Sequence, residues 1–530
     1  MIVCERRGAA AGRANERGEC TMTATASPGG PPPSGAPVAA GHGSAPPRGI
    51  GNVPRSTTET GKFGRLFRGL TPLVLDDAQI QNVVAAMVDQ PDQPGGGWSG
   101  EPTPSDATLA AGWTYFAQFV DHDITFDPTS MLDQANDPDA LENFRTPRFD
   151  LDCLYGLGPS ANPWLYDGND PDRLLLGVNP PEFLQRDLNR NHQGRALIGD
   201  PRNDVHVIVA QLHLGFVEFH NHVVDRVRAD PSLVTGVPAT PVGGWGGGPA
   251  VTGQPTFGQI VTLVRWHYQW LVLTGFLPLI VGQATADEVL KRDKHGRLDA
   301  ALKLYNVRRN PWMPVEFSAG AYRFGHSLVR DAYLLNGGLT PLPVFSVEGD
   351  SNPLADLRGF RRIPTGWEIE WHRFFDGLPT SGGETQRARL FDIRISSPLH
   401  SLPASIDQMR RSLAFLNIKR GVALELPSGE DFAAATAGKL RIDPATVAIQ
   451  TGLQHPAPLW FWFLKEAEVT RGGQSLGPIG GRVVAEVLIG LTQNDRSSFL
   501  RAQPDWRPTL GATAGEFGIA DVLTVGGVSV

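Results

Sequence analysis

Apolar residues recur at helical spacing through most of the chain after residue 60, and strict alternation is rare. The clearest stretch runs from Asp204 to Ala229. There Val205, Ile208, Val209, Leu212, Phe216, Phe219 and Val223 follow a period of about 3.6 residues. Asn203 or Asp204 is suited to cap this helix. The same criterion predicts helices over Leu73–Val88, Leu109–Asp121, 256–281, 284–292, 316–330, 404–416, 430–437, 457–468 and 480–492. Thr125–Asn203 is dense in Asp, Pro, Gly and Asn and reads as a long loop. Residues 1–60 are rich in Gly, Pro, Ala, Ser and Thr, with almost no periodic apolar positions, and read as a disordered or surface-draped head. Strand patterns are few and no internal repeat is visible. The pattern predicts a mainly α protein, one large helical domain over 61–530 with long loops and few short strands.

Composition narrows the function classes. The chain has 530 residues, 41% of them hydrophobic, enough for a sizeable core. A net charge of −8 argues against nucleic acid and anionic membrane as partners. The apolar run Trp270–Val281 is too short to span a bilayer and contains Gly275 and Pro278, so it reads as a buried core helix. Three cysteines (Cys4, Cys20 and Cys153) are an odd set, which disfavours a disulfide framework and points to a reducing compartment. The first residues lack the apolar core of a secretory signal. The expectation is therefore a cytoplasmic protein, or one exported without a recognisable signal.

Five constellations carry candidate chemistry. The first is Gln118, Asp121, His122 and Asp123 within an aromatic helix. Positions 118, 121 and 122 share a face, so an amide, a carboxylate and an imidazole look into one space. Burying them among Trp113, Phe116 and Phe119 needs a partner. A metal or cofactor fits, as does a proton relay; the plainer alternative is a solvated helix end. The second is Thr146, Arg148, Asp150 and Asp152, at alternate positions. In an extended loop their oxygens fall on one side, as a hard cation such as calcium requires, with Asp123 a distant partner; a polar turn is the alternative. The third is Arg202, placed before the longest helix where the dipole prefers anions. It is either aimed at a ligand or a surface arginine. The fourth is Arg323 and His326 at i, i+3 beside Gly325, a structural histidine or an iron ligand with a carboxylate clamp beside it. The fifth is Asn417 and Arg420: a partner for a metal-bound imidazole and a second clamp, or an ordinary polar helix end.

Taken in order along the chain, these motifs resemble the animal-type haem peroxidases of the peroxidase–cyclooxygenase superfamily, in particular their bacterial branch. The similar residues are Gln118-x-x-Asp121-His122-Asp123, Thr146-x-Arg148-x-Asp150-x-Asp152-x-x-Tyr155-Gly156, Gly199-Asp200-x-Arg202-Asn203, Arg323 with Gly325-His326, and Asn417-x-x-Arg420. The tail Pro458-Leu459-Trp460-Phe461 and Gly477-Pro478-Ile479-Gly480-Gly481 is similar too, so the resemblance covers roughly residues 60–525. It implies haem b and calcium as cofactors. It implies hydrogen peroxide as one substrate, with a small organic donor or a halide as the other. His122 would be the distal base, Arg202 would stabilise developing charge, and Gln118 would line the pocket. His326 would bind the iron, oriented by Asn417, with Arg323 and Arg420 on the propionates. Asp123, Thr146, Arg148, Asp150 and Asp152 would hold calcium, which would fix the adjoining His122.

The sequence also departs from the family. Asp121 matches a position able to form an ester with a haem methyl. The second such position, normally Glu, is Val205, followed by His206. At most one covalent link is expected, through Asp121. Fatty-acid oxygenases of the superfamily carry a radical-forming Tyr three residues before the iron ligand. Here that residue is Arg323, and Tyr322 falls on another bearing. Two rivals from other classes are a metal-dependent hydrolase using Asp121–Asp123 directly, and a haem- or calcium-binding protein without turnover.

Overall fold

A computed structural model describes residues 63–88, 106–125, 147–239, 255–307, 311–346, 356–380, 382–402 and 411–525. All of them fall in one compact unit, Pro47–Val530. Residues 1–60 and Thr146 lie outside the described residues.

The periodic segments fold as helices. In order they are α1 (Asp77–Ala85), α2 (Gly112–Ile124), α3 (Asp152–Tyr155), α4 (Val207–Ala229), α5 (Phe257–Trp270), α6 (Leu277–Val281) and α7 (Gln283–Val289). Then follow α8 (Val315–Ser318), α9 (Leu413–Ala423), α10 (Gly429–Leu440), α11 (Leu459–Arg471), α12 (Pro478–Asn494), α13 (Phe499–Ala502) and α14 (Ile519–Val525). Among the described residues the strands are short and form two-stranded pairs only. The architecture is mainly α, as the pattern predicts. No helix among the described residues is long and apolar enough to cross a membrane.

Several boundaries differ from expectation for identifiable reasons. Asp106–Ala110 pairs as a strand with Arg387–Arg389, so α2 begins only at Gly112 and runs on to Ile124. Gly112 is required there: a Cβ would come within 2.5 Å of the Phe374 carbonyl and the Phe375 ring. Neither Asn203 nor Asp204 caps α4. A 3₁₀ turn, Pro201–Asp204, takes up that stretch, and His206 caps instead, its Nδ1 accepting from the Ile208 N–H at 3.3 Å. Asp204 is bound to buried Arg190 at 2.8 Å. The expected single helix over 256–281 widens into a π turn at Leu271–Phe276. Pro278 has no N–H for the Thr274 carbonyl, so the ladder must shift register. The expected helix over 316–330 is α8 plus a 3₁₀ turn, Ala321–His326. The expected helix over 404–416 falls partly on 403–410, outside the described residues, and α9 occupies 413–423.

The core that positions the site is aromatic. Phe119 of α2 stacks on Phe216 of α4 with centroids 4.7 Å apart and planes 7° from parallel. Tyr268 of α5 meets both edge-on, at 6.0 and 5.7 Å. Each fully buried aromatic ring of this kind contributes about 2–3 kcal/mol. The opposite face of α2 is thereby left for polar side chains. On the other side, α11 supports the 3₁₀ turn: the Trp460 indole N–H donates to the Arg323 carbonyl at 3.1 Å.

Candidate active site

A cavity of about 240 Å³ lies between α2 and the 3₁₀ turn Ala321–His326. From α2 its wall takes Thr114, Tyr115, Ala117, Gln118, Asp121 and His122. These sit at helical spacing on one face, as the sequence predicts. From the turn it takes Tyr322, Arg323, Gly325 and His326. A Cβ on Gly325 would meet no atom within 4 Å, so the backbone there borders open space. Val205, His206, Val329, Val344 and Phe345 add mostly apolar surface.

Each imidazole is held from behind by an asparagine. His122 Nδ1 donates to the Asn203 Oδ1 at 2.7 Å, which turns Nε2, with its lone pair, to the cavity. Asn203 Nδ2 in turn donates to His213 Nδ1 at 3.0 Å. Sequence reasoning offered Asn203 only as a helix cap and assigned no role to His213. The available signal was His213, an imidazole between Leu212 and Leu214 in the apolar part of α4. On the other side Asn417 Nδ2 donates to His326 Nδ1 at 2.7 Å, and Asn417 Oδ1 accepts from Arg323 Nη1 at 2.7 Å. Asn417 therefore sits where the sequence places it, behind His326.

Electrostatics keep both rings neutral. Burial pushes the His122 pKa down to about 4, helped by Arg202 and opposed by Asp200, Asp121 and the Asn203 bond. Burial and then Arg323 push His326 down to about 3. Burial, then the neighbouring Arg420, lowers Arg323 to about 10. Asp121 accepts at Oδ1 from the Thr125 hydroxyl at 3.0 Å.

Arg202 stands at the end of α2. Its Nη2 donates to the His122 carbonyl at 2.9 Å and to the Thr125 carbonyl, while Asp200 pairs with it at 2.7 Å. Those carbonyls lack helical partners at the end of α2, and a guanidinium satisfies them. Tyr322 also lines the cavity, and its hydroxyl donates to the Ala117 carbonyl at 3.4 Å.

The proposed cation ligands are partly assembled. Asp123 is fully buried in the last turn of α2. Burial, Asp152 and Asp123 raise the Asp150 pKa well above the usual carboxylate range, opposed by Arg265 and Arg148. Arg265 reaches the Asp150 carbonyl through Nε and stands 3.9 Å from the Asp152 carboxylate. The carboxylates thus share a neighbourhood. No group of three or more His, Cys, Asp or Glu among the described residues is arranged to hold a metal ion.

The model of the animal haem peroxidase family matches residues 142–421, more than half of the chain. The chain belongs to that family. The matched segment includes Arg202, His326 and Asn417 and begins after the 118–123 motif. Among solved structures, peroxidase A from Dictyostelium discoideum aligns at 13% identity over 88% of this chain and 96% of that one, with a TM-score of 0.55. A variant of Oryza sativa fatty acid alpha-dioxygenase with palmitic acid aligns at 14% identity over 84% and 78%, with a TM-score of 0.51. At such identities the likeness is one of fold. No curated protein sequence matches the chain. Family membership implies haem, and the residues fit it: a cavity with two neutral imidazoles in its wall, an open glycine beside one and a buried arginine for a carboxylate.

Proposed function

We propose that this chain is a haem peroxidase that reduces hydrogen peroxide and oxidises small organic donors or halides. The observation that carries the reading is that His122 and His326, 204 positions apart in sequence, line one cavity, each with Nδ1 held by an asparagine. Haem b would supply the iron and its redox chemistry. His326 would hold it, and Arg323 and Arg420 would pair with its carboxylates. His122 does the proton work. Its Nε2 lone pair takes a proton from the attacking peroxide oxygen and returns it to the leaving oxygen. Asn203 keeps Nδ1 occupied so that only Nε2 can act. Gln118, one turn before His122, holds a water or halide in the wall. Arg202 supports the step indirectly, by fixing the end of α2, and its positive charge lies behind His122. Asp121 offers the one carboxylate for an ester link. Calcium would be held by Asp123, Thr146, Asp150, Asp152 and the Arg148 carbonyl. It would neutralise the crowded carboxylates and hold Asp123 beside His122.

The test is an absorption spectrum with and without peroxide. His326→Ala should lose the haem band. His122→Ala should keep it and lose roughly 10²–10⁴-fold in peroxide-dependent oxidation. A protein that never shows a haem band would favour the hydrolase; a band without peroxide turnover would favour a binding protein. Tyr322 in the cavity wall favours a second reading, a fatty-acid dioxygenase. Burial and Asp121 raise its phenol pKa well above the usual value, and Arg323 holds the position three before His326. Oxygen uptake with palmitate that Tyr322→Phe abolishes would establish that reading instead.

A further inference from the structure

We propose that Arg323, acting through Asn417, decides which nitrogen of His326 carries the ring proton, and that capture of Arg323 by a carboxylate frees this ring to bind a metal through Nε2. The metal half rests on the peroxidase reading. The link between the three side chains rests on geometry alone.

A guanidinium has donors and no acceptor. The Asn417 atom 2.7 Å from Arg323 Nη1 must therefore be the carbonyl oxygen. This fixes an amide orientation that is otherwise a matter of assignment. The other end of the amide, 2.7 Å from His326 Nδ1, must then be the NH₂ group. Nδ1 has to offer its lone pair, and the neutral ring keeps its proton on Nε2. A nitrogen carrying a proton cannot ligate a metal.

A half-turn of the Asn417 amide would give the opposite tautomer. Oδ1 would accept from Nδ1–H, the arrangement that orients metal-bound imidazoles, and Nε2 would turn its lone pair to the cavity. No proton is gained or lost; it leaves Nε2 and one arrives at Nδ1. The same half-turn sets NH₂ against the guanidinium, donor against donor, which is costly when buried. It becomes favourable only when Arg323 finds another acceptor. Arg323 lines the cavity, lies close to Arg420 and is buried, so a carboxylate entering the cavity is the complementary group. Ser318 contributes its carbonyl, which accepts from Arg323 Nε at 3.1 Å and would keep the side chain anchored during the exchange. The site therefore selects a metal macrocycle that bears carboxylates over one that does not.

Two measurements on the full chain test this. Histidine selectively labelled with ¹⁵N in the ligand-free protein should show His326 protonated at Nε2; Arg323→Met should shift it towards Nδ1. Protonation at Nδ1 in the wild type would overturn the proposal. Haem b is then compared with its dimethyl ester, whose carboxylates are capped. Wild-type protein should bind the ester through His326 roughly ten- to hundredfold more weakly, and the gap should close in Arg323→Met. Equal affinities in the wild type would overturn the metal half, and this arm needs no variant to fold. If neither porphyrin binds while the Nε2 proton is found, the peroxidase reading falls with the metal half and the side-chain link stands.

Discussion

The two histidine–asparagine couples look alike and are wired in opposite senses. Asn203 presents oxygen to His122, and Asn417 presents nitrogen to His326. The difference comes from what stands behind each amide. Behind Asn203 is His213, which can donate or accept, so that amide is held less firmly, only by the tautomer of His213. Behind Asn417 is Arg323, which can only donate, so that amide is locked until the arginine is drawn away. A ring meant to move protons needs Nδ1–H held so that Nε2 stays the base, which the present polarity of Asn203 provides. A ring meant to bind once benefits from a partner that changes polarity only when the correct ligand arrives.

The sharpest way to break this comparison is to remove each amide. Asn417→Leu should weaken haem retention by roughly 10- to 100-fold, because nothing then orients the ligand ring, and should leave the ligand-free fold intact. Asn203→Leu should leave haem retention unchanged and slow peroxide-dependent oxidation by a similar factor. Haem titration and initial rates separate the two. If both variants lose haem equally, the couples do not have distinct roles.

Acid distinguishes the couples more gently. Both rings have pKa values below the unfolded value of about 6.5, near 4 for His122 and near 3 for His326. The unfolded state therefore binds more protons, and stability that is present above pH 6.5 falls as pH drops towards 4. At pH 5 each ring should cost about 2 kcal/mol relative to pH 7, so thermal unfolding of the haem-free protein should move down by several degrees. His122→Gln and His326→Gln should each recover a comparable part. Below pH 4 the two should part, since His122 can accept a proton at Nε2 while Nδ1 still donates to Asn203. His326 would have to set Nδ1–H against the Asn417 NH₂.

How much of this was legible in the sequence follows from the reach of each signal. The face of α2 was readable because helical periodicity fixes the bearings of Gln118, Asp121 and His122, whatever packs around them. Asn417 behind His326 was placed only through the resemblance, since their 91-residue separation carries no local signal. The bonds of Arg202 to the end of α2 were out of reach, because its position along the chain says nothing about which carbonyls that end leaves open. Tyr322 in the cavity wall was not foreseen, because the sequence does not show that this stretch folds as a short 3₁₀ turn rather than as part of a long helix. The asymmetry between the couples was out of reach: it depends on what stands one bond further back.

The smallest effect should come from His213. If it serves only to present a lone pair to the Asn203 NH₂, His213→Gln can do so with its own carbonyl oxygen, and the oxidation rate should fall by no more than about threefold. His213→Phe offers no acceptor and leaves a buried NH₂ unsatisfied, at a cost of about 1–3 kcal/mol. That cost is relieved if the amide turns over, which then puts NH₂ against His122 Nδ1 and moves the His122 proton to Nε2. The ring would become a donor where a base is required. His213→Phe should therefore slow the reaction more than His213→Gln, while KM for peroxide and haem retention stay the same in both. The decisive observation is the ¹⁵N spectrum of His122 in the two variants. A proton on Nε2 in His213→Phe and on Nδ1 in His213→Gln would show that His213 sets the polarity of the first couple as Arg323 does that of the second, with a weaker grip. Identical spectra would reduce His213 to packing.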